Sequence, residues 1–142
     1  MGEGRAMNET AHRRLRITMV VGSLYDIVFA VVNLIVPQLG SAFFEIPLPA
    51  EQVYLRFTGI FLIALALFYM LPAIHPGRYL GNVVAAILAR TAGALFLIAA
   101  AAWYGQPRAF LVLGAGDLAF ALAHTYYLAR AEGGNPLRHY LE

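Results

Sequence analysis

The sequence contains no cysteine and no lysine, and only 13% of its 142 residues are charged. Without cysteine, disulfide bonds, thiolate catalysis and iron–sulfur ligation are excluded. A soluble domain normally carries roughly 25% charged residues, whereas 61% of this chain is hydrophobic and its mean hydropathy is +0.67. The composition excludes an ordinary soluble or disordered chain and favours one that is dissolved mainly in lipid.

The remaining charges and motifs point to no recognisable reaction centre. All ten basic residues are arginine, and the formal net charge of +2 is too small and too scattered to indicate nucleic-acid binding. Glycine-rich phosphate loops, a nucleophile elbow and paired glycosidase carboxylates are absent from the sequence. Within the apolar stretches no pair of His, Asp or Glu has the spacing of a metal-binding helix. We therefore predict no catalytic residue and no metal site.

Four apolar stretches are long enough, at about 20 residues each, to cross a bilayer as helices. They lie at Ile17–Val36, Tyr54–Ile74, Leu80–Tyr104 and Phe110–Leu128. Prolines and glycines punctuate their ends, at Pro37, Gly40, Pro72, Pro76, Gly77, Gly105, Pro107, Gly133, Gly134 and Pro136. Because most connections are short, consecutive helices should be antiparallel. The sequence predicts an all-α, up-down-up-down bundle of four transmembrane helices, forming a single domain over residues 1–142 with short tails.

The first connection, from Gln38 to Val53, is the only long one, and it is unusually apolar. We predict a short helix there that lies on the outer membrane surface. Phenylalanines cluster near this side of the membrane, at Phe43, Phe44, Phe57 and Phe61. We interpret them as lipid contacts, with the entrance to a hydrophobic-ligand or quinone site as the alternative.

Arginine is distributed unequally between the two sides of the predicted bundle. Seven arginines flank the side that holds both termini, and only Arg56 and Arg108 lie near the opposite helix ends. Positively charged flanks are retained in the cytoplasm. Both termini are therefore predicted to be cytoplasmic.

Three ionisable residues lie well inside the predicted spans: Asp26, Arg90 and Asp117. On insertion scales, each such charge costs about 2.5–3.5 kcal/mol at the centre of a span. These side chains should therefore face the bundle interior and pair with one another. Asp26 and Arg90 lie at nearly the same depth, which predicts a pair, and either Arg56 or Arg90 is expected to meet Asp117 as part of a neutral set.

Other polar and small residues share helical faces with these charges. Asn33 and His124 complete the predicted polar network, and glycines accompany it at Gly22, Gly59, Gly93 and Gly114. Small residues let helices in lipid approach closely, so that polar groups can bond across the gap. We interpret the network as structural, with a proton-accepting or polar-ligand site using Asp26 or Asp117 as the alternative. His124 is interpreted as a hydrogen-bonded packing residue rather than a metal ligand or proton shuttle.

The span from Arg16 to Arg130 resembles the DoxX-like group of small bacterial membrane proteins. The matching features include Gly22 in a first helix ending at Pro37, the Tyr-Leu-Arg-Phe-Thr-Gly opening at Tyr54–Gly59, Arg90, and the Gly-x-Gly-Asp run at Gly114–Asp117. The resemblance implies an integral four-helix bundle in the bacterial inner membrane. Some members of that group look like subunits or partners of membrane oxidoreductases, but the resemblance carries over no catalytic residue.

Three hypotheses about function follow. The preferred one is a non-catalytic accessory or assembly subunit that packs in the lipid bilayer with other membrane subunits or as a homo-oligomer. The second is a proton-coupled carrier or channel that uses Asp26 and Asp117. The third is a quinone- or lipid-binding oxidoreductase subunit; no other cofactor is predicted.

Overall fold

In a computed structural model of the protein, which describes residues 2–132 and the side chains from Glu9 onward, regular secondary structure is entirely helical. Its elements are α1 (Gly2–Ile35), α2 (Pro37–Phe44), α3 (Gln52–Ile74), α4 (Leu80–Trp103) and α5 (Ala109–Ala131). All but α2 contain stretches long and apolar enough to cross a membrane. The predicted all-α, four-helix membrane fold is confirmed, and α2 is the short helix expected in the first loop.

The N-terminal flank differs from the prediction. We expected a short tail before Ile17, but α1 begins at Gly2 and continues without interruption through the basic flank into the span. Its 34 residues make it about 51 Å long, well beyond the ~30 Å thickness of a bilayer core. The flank holds no proline, and alanine, arginine and glutamate are good helix formers, so nothing ends the helix. The predicted C-terminal tail, with Gly133, Gly134, Pro136 and Arg138, lies outside the described residues.

Helix α3 ends at Ile74, as predicted for the second span, and Pro72, which was grouped with the helix breakers at that end, lies inside it. A proline has no backbone N–H, so it leaves the carbonyl four residues earlier, that of Phe68, without its helical partner. The side-chain amide of Asn82 on α4 donates to this carbonyl at 3.3 Å. A neighbouring helix thus supplies the missing donor and allows the helix to pass through the proline.

The four long helices form a ring in the order α3, α1, α5, α4. Helix α1 packs along both α3 and α5, and α4 packs along α5, whereas α3 and α4 meet over a shorter stretch. At one end Arg16 Nε donates to the carbonyl of Ala73, and at the other Arg56 Nη1 donates to that of Leu34. Helices α1 and α3 are therefore antiparallel. We call the end that holds the start of α1 the terminal end, and the opposite end the α2 end.

Two glycines permit close contacts between the long helices. A Cβ atom on Gly59 would lie 2.7 Å from Leu34 Cγ and 3.0 Å from the carbonyl oxygen of Ala30. On Gly114 it would lie 3.1 Å from the carbonyl oxygen of Ala94. These contacts bring together α1 with α3 and α4 with α5, as expected for small residues between helices in lipid.

A compact apolar core fills the terminal half of the ring. Its buried members come from all four long helices and are Leu15, Met19, Tyr69, Ala73, Val83, Ala86 and Leu128. The polar site lies directly beyond this core, toward the middle of the bundle.

Candidate functional site

The centre of the bundle is an ion cluster of Asp26, Arg90 and Asp117. Arg90 Nη2 lies 2.7 Å from Asp26 Oδ2 and Arg90 Nη1 lies 2.7 Å from Asp117 Oδ1. Nη2 also donates to the carbonyl of Gly22 at 2.9 Å. One guanidinium from α4 thereby joins α1 and α5 through charge-assisted hydrogen bonds. The structure thus brings these three predicted residues together.

Two of the three side chains in the cluster are almost fully buried. The side chains of Arg90 and Asp26 are only 3% and 7% exposed, and that of Asp117 is 21% exposed. Charges this far from water are tolerated only when they are paired. Asp117 is the one member of the cluster that retains appreciable contact with the outside.

Small residues make room for the guanidinium. A Cβ atom on Gly22 would lie 3.1 Å from Arg90 Nη2, and one on Gly93 would lie 3.4 Å from Asp117 Oδ2. Along α4, one turn to either side of Arg90, Ala86 and Ala94 are fully buried. Gly22 and Gly93 therefore border the ion cluster, whereas Gly59 and Gly114 serve helix packing.

Three aromatic rings surround the Arg90 guanidinium, and sequence reasoning missed all of them. Its Cζ atom lies 4.8 Å from the ring centroid of Phe120, 5.3 Å from that of Tyr69 and 5.8 Å from that of Tyr25. Such rings attract a cation through their faces while excluding water. Because aromatic residues occur throughout the spans, their spacing gave no signal that singled these three out.

Arg56 does not join the cluster, which corrects the expectation of a neutral set of four charges. It is exposed near the α2 end and donates to the Leu34 carbonyl at 3.3 Å. Its position on the second turn of α3 keeps it near that end, and α3 packs mainly on α1 rather than on α5, which carries Asp117. Two carboxylates therefore share one guanidinium, and with both ionised the cluster carries one net negative charge. Asn33 is also separate from the cluster and lines a cavity at the α2 end.

His124 is buried as expected. Its ring packs beside Phe120, with centroids 6.2 Å apart, and interacts with the backbone of Thr18. In the described part of the chain neither ring nitrogen has a partner with hydrogen-bond geometry. The same is true of two other buried atoms, Ser23 Oγ and Arg90 Nε. Polar atoms without partners thus occur at the ion cluster and one to two turns toward the terminal end.

Within the described residues, no group of three or more His, Asp or Glu side chains is placed to hold a metal ion. The chemistry that this site offers is ion pairing and hydrogen bonding. No family model, curated protein or solved structure matches the chain.

Proposed function

We propose that the protein is a non-catalytic accessory or assembly subunit of the bacterial inner membrane, which packs with other membrane subunits or with a second copy of itself. The observation that carries this proposal is that the charges of the ion cluster are paired with one another. Both terminal nitrogens of Arg90 are engaged by carboxylates at 2.7 Å, and three rings cover the guanidinium. Such a cluster holds helices in register, and of its three side chains only that of Asp117 is partly exposed.

The outward face of α4 supports the packing role. Small residues follow one another along it at intervals of three or four, and they are exposed or half-exposed: Gly81, Ala85, Ala89 and Ala92. A face of this kind lets another helix in the membrane approach closely. Inside the bundle the comparable small residues are already in contact with neighbouring helices, so this outer face remains for a partner.

The distribution of arginine supports a cytoplasmic location of the termini. Outside the ion cluster, seven arginines have described side chains, and five of them lie at the terminal end: Arg13, Arg14, Arg16, Arg78 and Arg130. Only Arg56 and Arg108 lie at the α2 end. The side of a membrane protein that carries an excess of positive charge normally faces the cytoplasm. The resemblance to the DoxX-like group supports the bacterial inner membrane as the location.

Native mass spectrometry of protein released from membranes in mild detergent tests the packing role. We expect complexes with partners or with a second copy, and we expect Ala89→Leu on α4 to reduce them because the larger side chain blocks close approach. Ala64→Leu is the matched control, because Ala64 is exposed on α3, away from this face. Recovery of monomer alone from the unaltered protein would contradict the proposal.

A second candidate function, a proton-coupled carrier or channel, is favoured by the unbalanced charge of the cluster. One proton shared between Asp26 and Asp117 would cancel the net negative charge that Arg90 leaves. Asp117 retains contact with the outside, and the ring nitrogens of His124, which lack partners with hydrogen-bond geometry, lie about two turns away along α5. A residue that binds and releases a proton needs both access and a nearby acceptor.

Proton flux into liposomes distinguishes the second function from the first. If the cluster conducts protons, Asp117→Asn and Asp26→Asn should each abolish flux while leaving the protein folded. Arg56→Gln, which alters a charge outside the cluster, should leave flux unchanged. Equal flux in all of these variants would eliminate the second candidate.

A further inference from the structure

A cavity of about 260 Å³ lies at the α2 end of the bundle, separate from the ion cluster. Residues of α1, α3 and α5 form its walls, and α2 with the following segment 46–49 covers it. We propose that this cavity binds one acyl chain of a membrane phospholipid. This goes beyond the packing role proposed above and does not depend on it.

The cover of the cavity is firmly packed rather than loosely attached. Gly40 on α2 lies so close to α1 that an added Cβ would come within 2.7 Å of Val32 Cγ1. The rings of Phe29 on α1 and Phe44 on α2 stack with centroids 5.6 Å apart. Because α2 is held on α1 at both places, the cavity is already formed before a ligand enters, as is usual for ligand sites.

The lining has too few polar groups for water to be the natural occupant of the cavity. Three lining residues have polar side chains, Asn33, Ser41 and Thr58, and the hydroxyl of Thr58 already donates to the carbonyl of Tyr54. Three lining residues, Pro37, Pro47 and Pro49, have no backbone N–H to offer. A buried water needs two to four polar partners, which this wall does not provide over most of its area.

The floor of the cavity is aromatic and separates it from the charges below. The ring of Phe29, which lines the cavity, packs against that of Tyr25 with centroids 4.7 Å apart. Tyr25 in turn faces the Arg90 guanidinium at 5.8 Å. An apolar chain in the cavity therefore meets an aromatic ring at its end, and no charge.

The size and the surroundings favour an acyl chain. The cavity is smaller than the roughly 300–1,000 Å³ of ordinary small-molecule pockets, so it holds a segment of an acyl chain but not a whole phospholipid. Lipid tails are as apolar as the lining, so the transfer itself contributes little. The favourable free energy of binding comes from van der Waals contacts, because an empty apolar cavity leaves its wall atoms without partners.

The test uses full-length protein in vesicles that contain a phospholipid with a photoreactive diazirine in its acyl chain. After illumination, mass spectrometry locates the labelled residues. We expect labelling at Phe110 and Leu113, which line the cavity, in addition to the general labelling of lipid-facing residues such as Val112 and Leu122. Labelling confined to the lipid-facing residues would overturn the proposal.

Two adjacent substitutions on α2 provide a matched pair. Ser41→Phe places a ring at a residue that lines the cavity, whereas Ala42→Phe places it at the neighbouring exposed position. Overfilling a packed site is unfavourable, so we expect Ser41→Phe to lower cavity labelling about tenfold and Ala42→Phe to leave it unchanged. Equal labelling in both variants would overturn the proposal. If Ser41→Phe does not fold, the presence or absence of label at Phe110 and Leu113 in the unaltered protein still tests the proposal.

Discussion

Replacing Arg90 by methionine should destabilise the bundle more than any other single substitution of a charged residue. Methionine retains an unbranched apolar stem but lacks the guanidinium at its end, so it removes every hydrogen bond to Asp26, Asp117 and the carbonyl of Gly22. Two carboxylates are then left in a site from which water and positive charge are both excluded. The loss is therefore chiefly electrostatic rather than a loss of packing.

The expected loss in the free energy of unfolding depends on how many charged groups are left unpaired. Removing one partner of a buried ion pair typically costs about 3–5 kcal/mol. Since Arg90→Met leaves two carboxylates without a partner, we expect about 5 kcal/mol, close to the whole stability of a marginal protein. Asp26→Asn should cost only about 1 kcal/mol, because the amide oxygen still accepts from Arg90 and the remaining pair with Asp117 is neutral.

The assay is reversible unfolding in mixed micelles with increasing SDS, followed by far-ultraviolet circular dichroism. Arg56→Met is the control, because Arg56 is an exposed arginine outside the cluster, and we expect a change within about 0.5 kcal/mol. The triple variant D26N/R90M/D117N removes all three charges and should recover more than half of the loss caused by R90M. If R90M costs about as little as R56M, or if the triple variant is no more stable than R90M, the ion pairs of Arg90 do not stabilise the bundle as expected.

Three further predictions concern packing and unpaired polar groups, and the same unfolding assay checks them. Gly59→Ala should cost about 1–3 kcal/mol because its Cβ would meet a backbone carbonyl, whereas Gly77→Ala, with open space around it, should be nearly neutral. Asn82→Leu should lower the free energy of unfolding by about 1 kcal/mol, because it removes the donor to the carbonyl of Phe68. Pro72→Ala restores the backbone N–H that bonds to this carbonyl, so Asn82→Leu should carry no such cost when Pro72→Ala is also present. His124→Leu should leave stability unchanged or raise it by about 1 kcal/mol, since it removes two buried nitrogens without partners; a large loss would show that the imidazole has a partner after all.

The membrane fold was predictable because composition and length constrain it strongly. Apolar stretches of about 20 residues have few alternatives to membrane-spanning helices. The meeting of Asp26 with Arg90 was predictable for a related reason, since a charge inside a span has to find a partner at its own depth. Depth along a helix can be counted from the sequence.

Other features depend on which helices are neighbours, and the sequence does not contain that information directly. Either Arg56 or Arg90 was expected to meet Asp117, and Arg90 does so, whereas α3 packs on α1 and Arg56 remains near the α2 end. The rings of Tyr69 and Phe120 reach Arg90 from two different helices, so no spacing within one helix reveals them. Pro72 was interpreted as a helix end because the donor that replaces its missing N–H comes from another helix.

The binding of both aspartates by Arg90 on the shared axis of the bundle can be measured directly. Asp26 and Asp117 are the only aspartates in the sequence, so protein labelled with ¹³C at the aspartate carboxyl and ¹⁵N in arginine gives just two carboxyl signals. Solid-state dipolar-recoupling NMR in lipid bilayers then reports the distance from each carboxyl to the nearest guanidinium nitrogen. We predict that the ¹⁵N nuclei of arginine strongly dephase both carboxyl signals. This dephasing should be lost in R90M. If one or both carboxyls show no guanidinium within hydrogen-bond distance, the proposed cluster does not exist in the membrane.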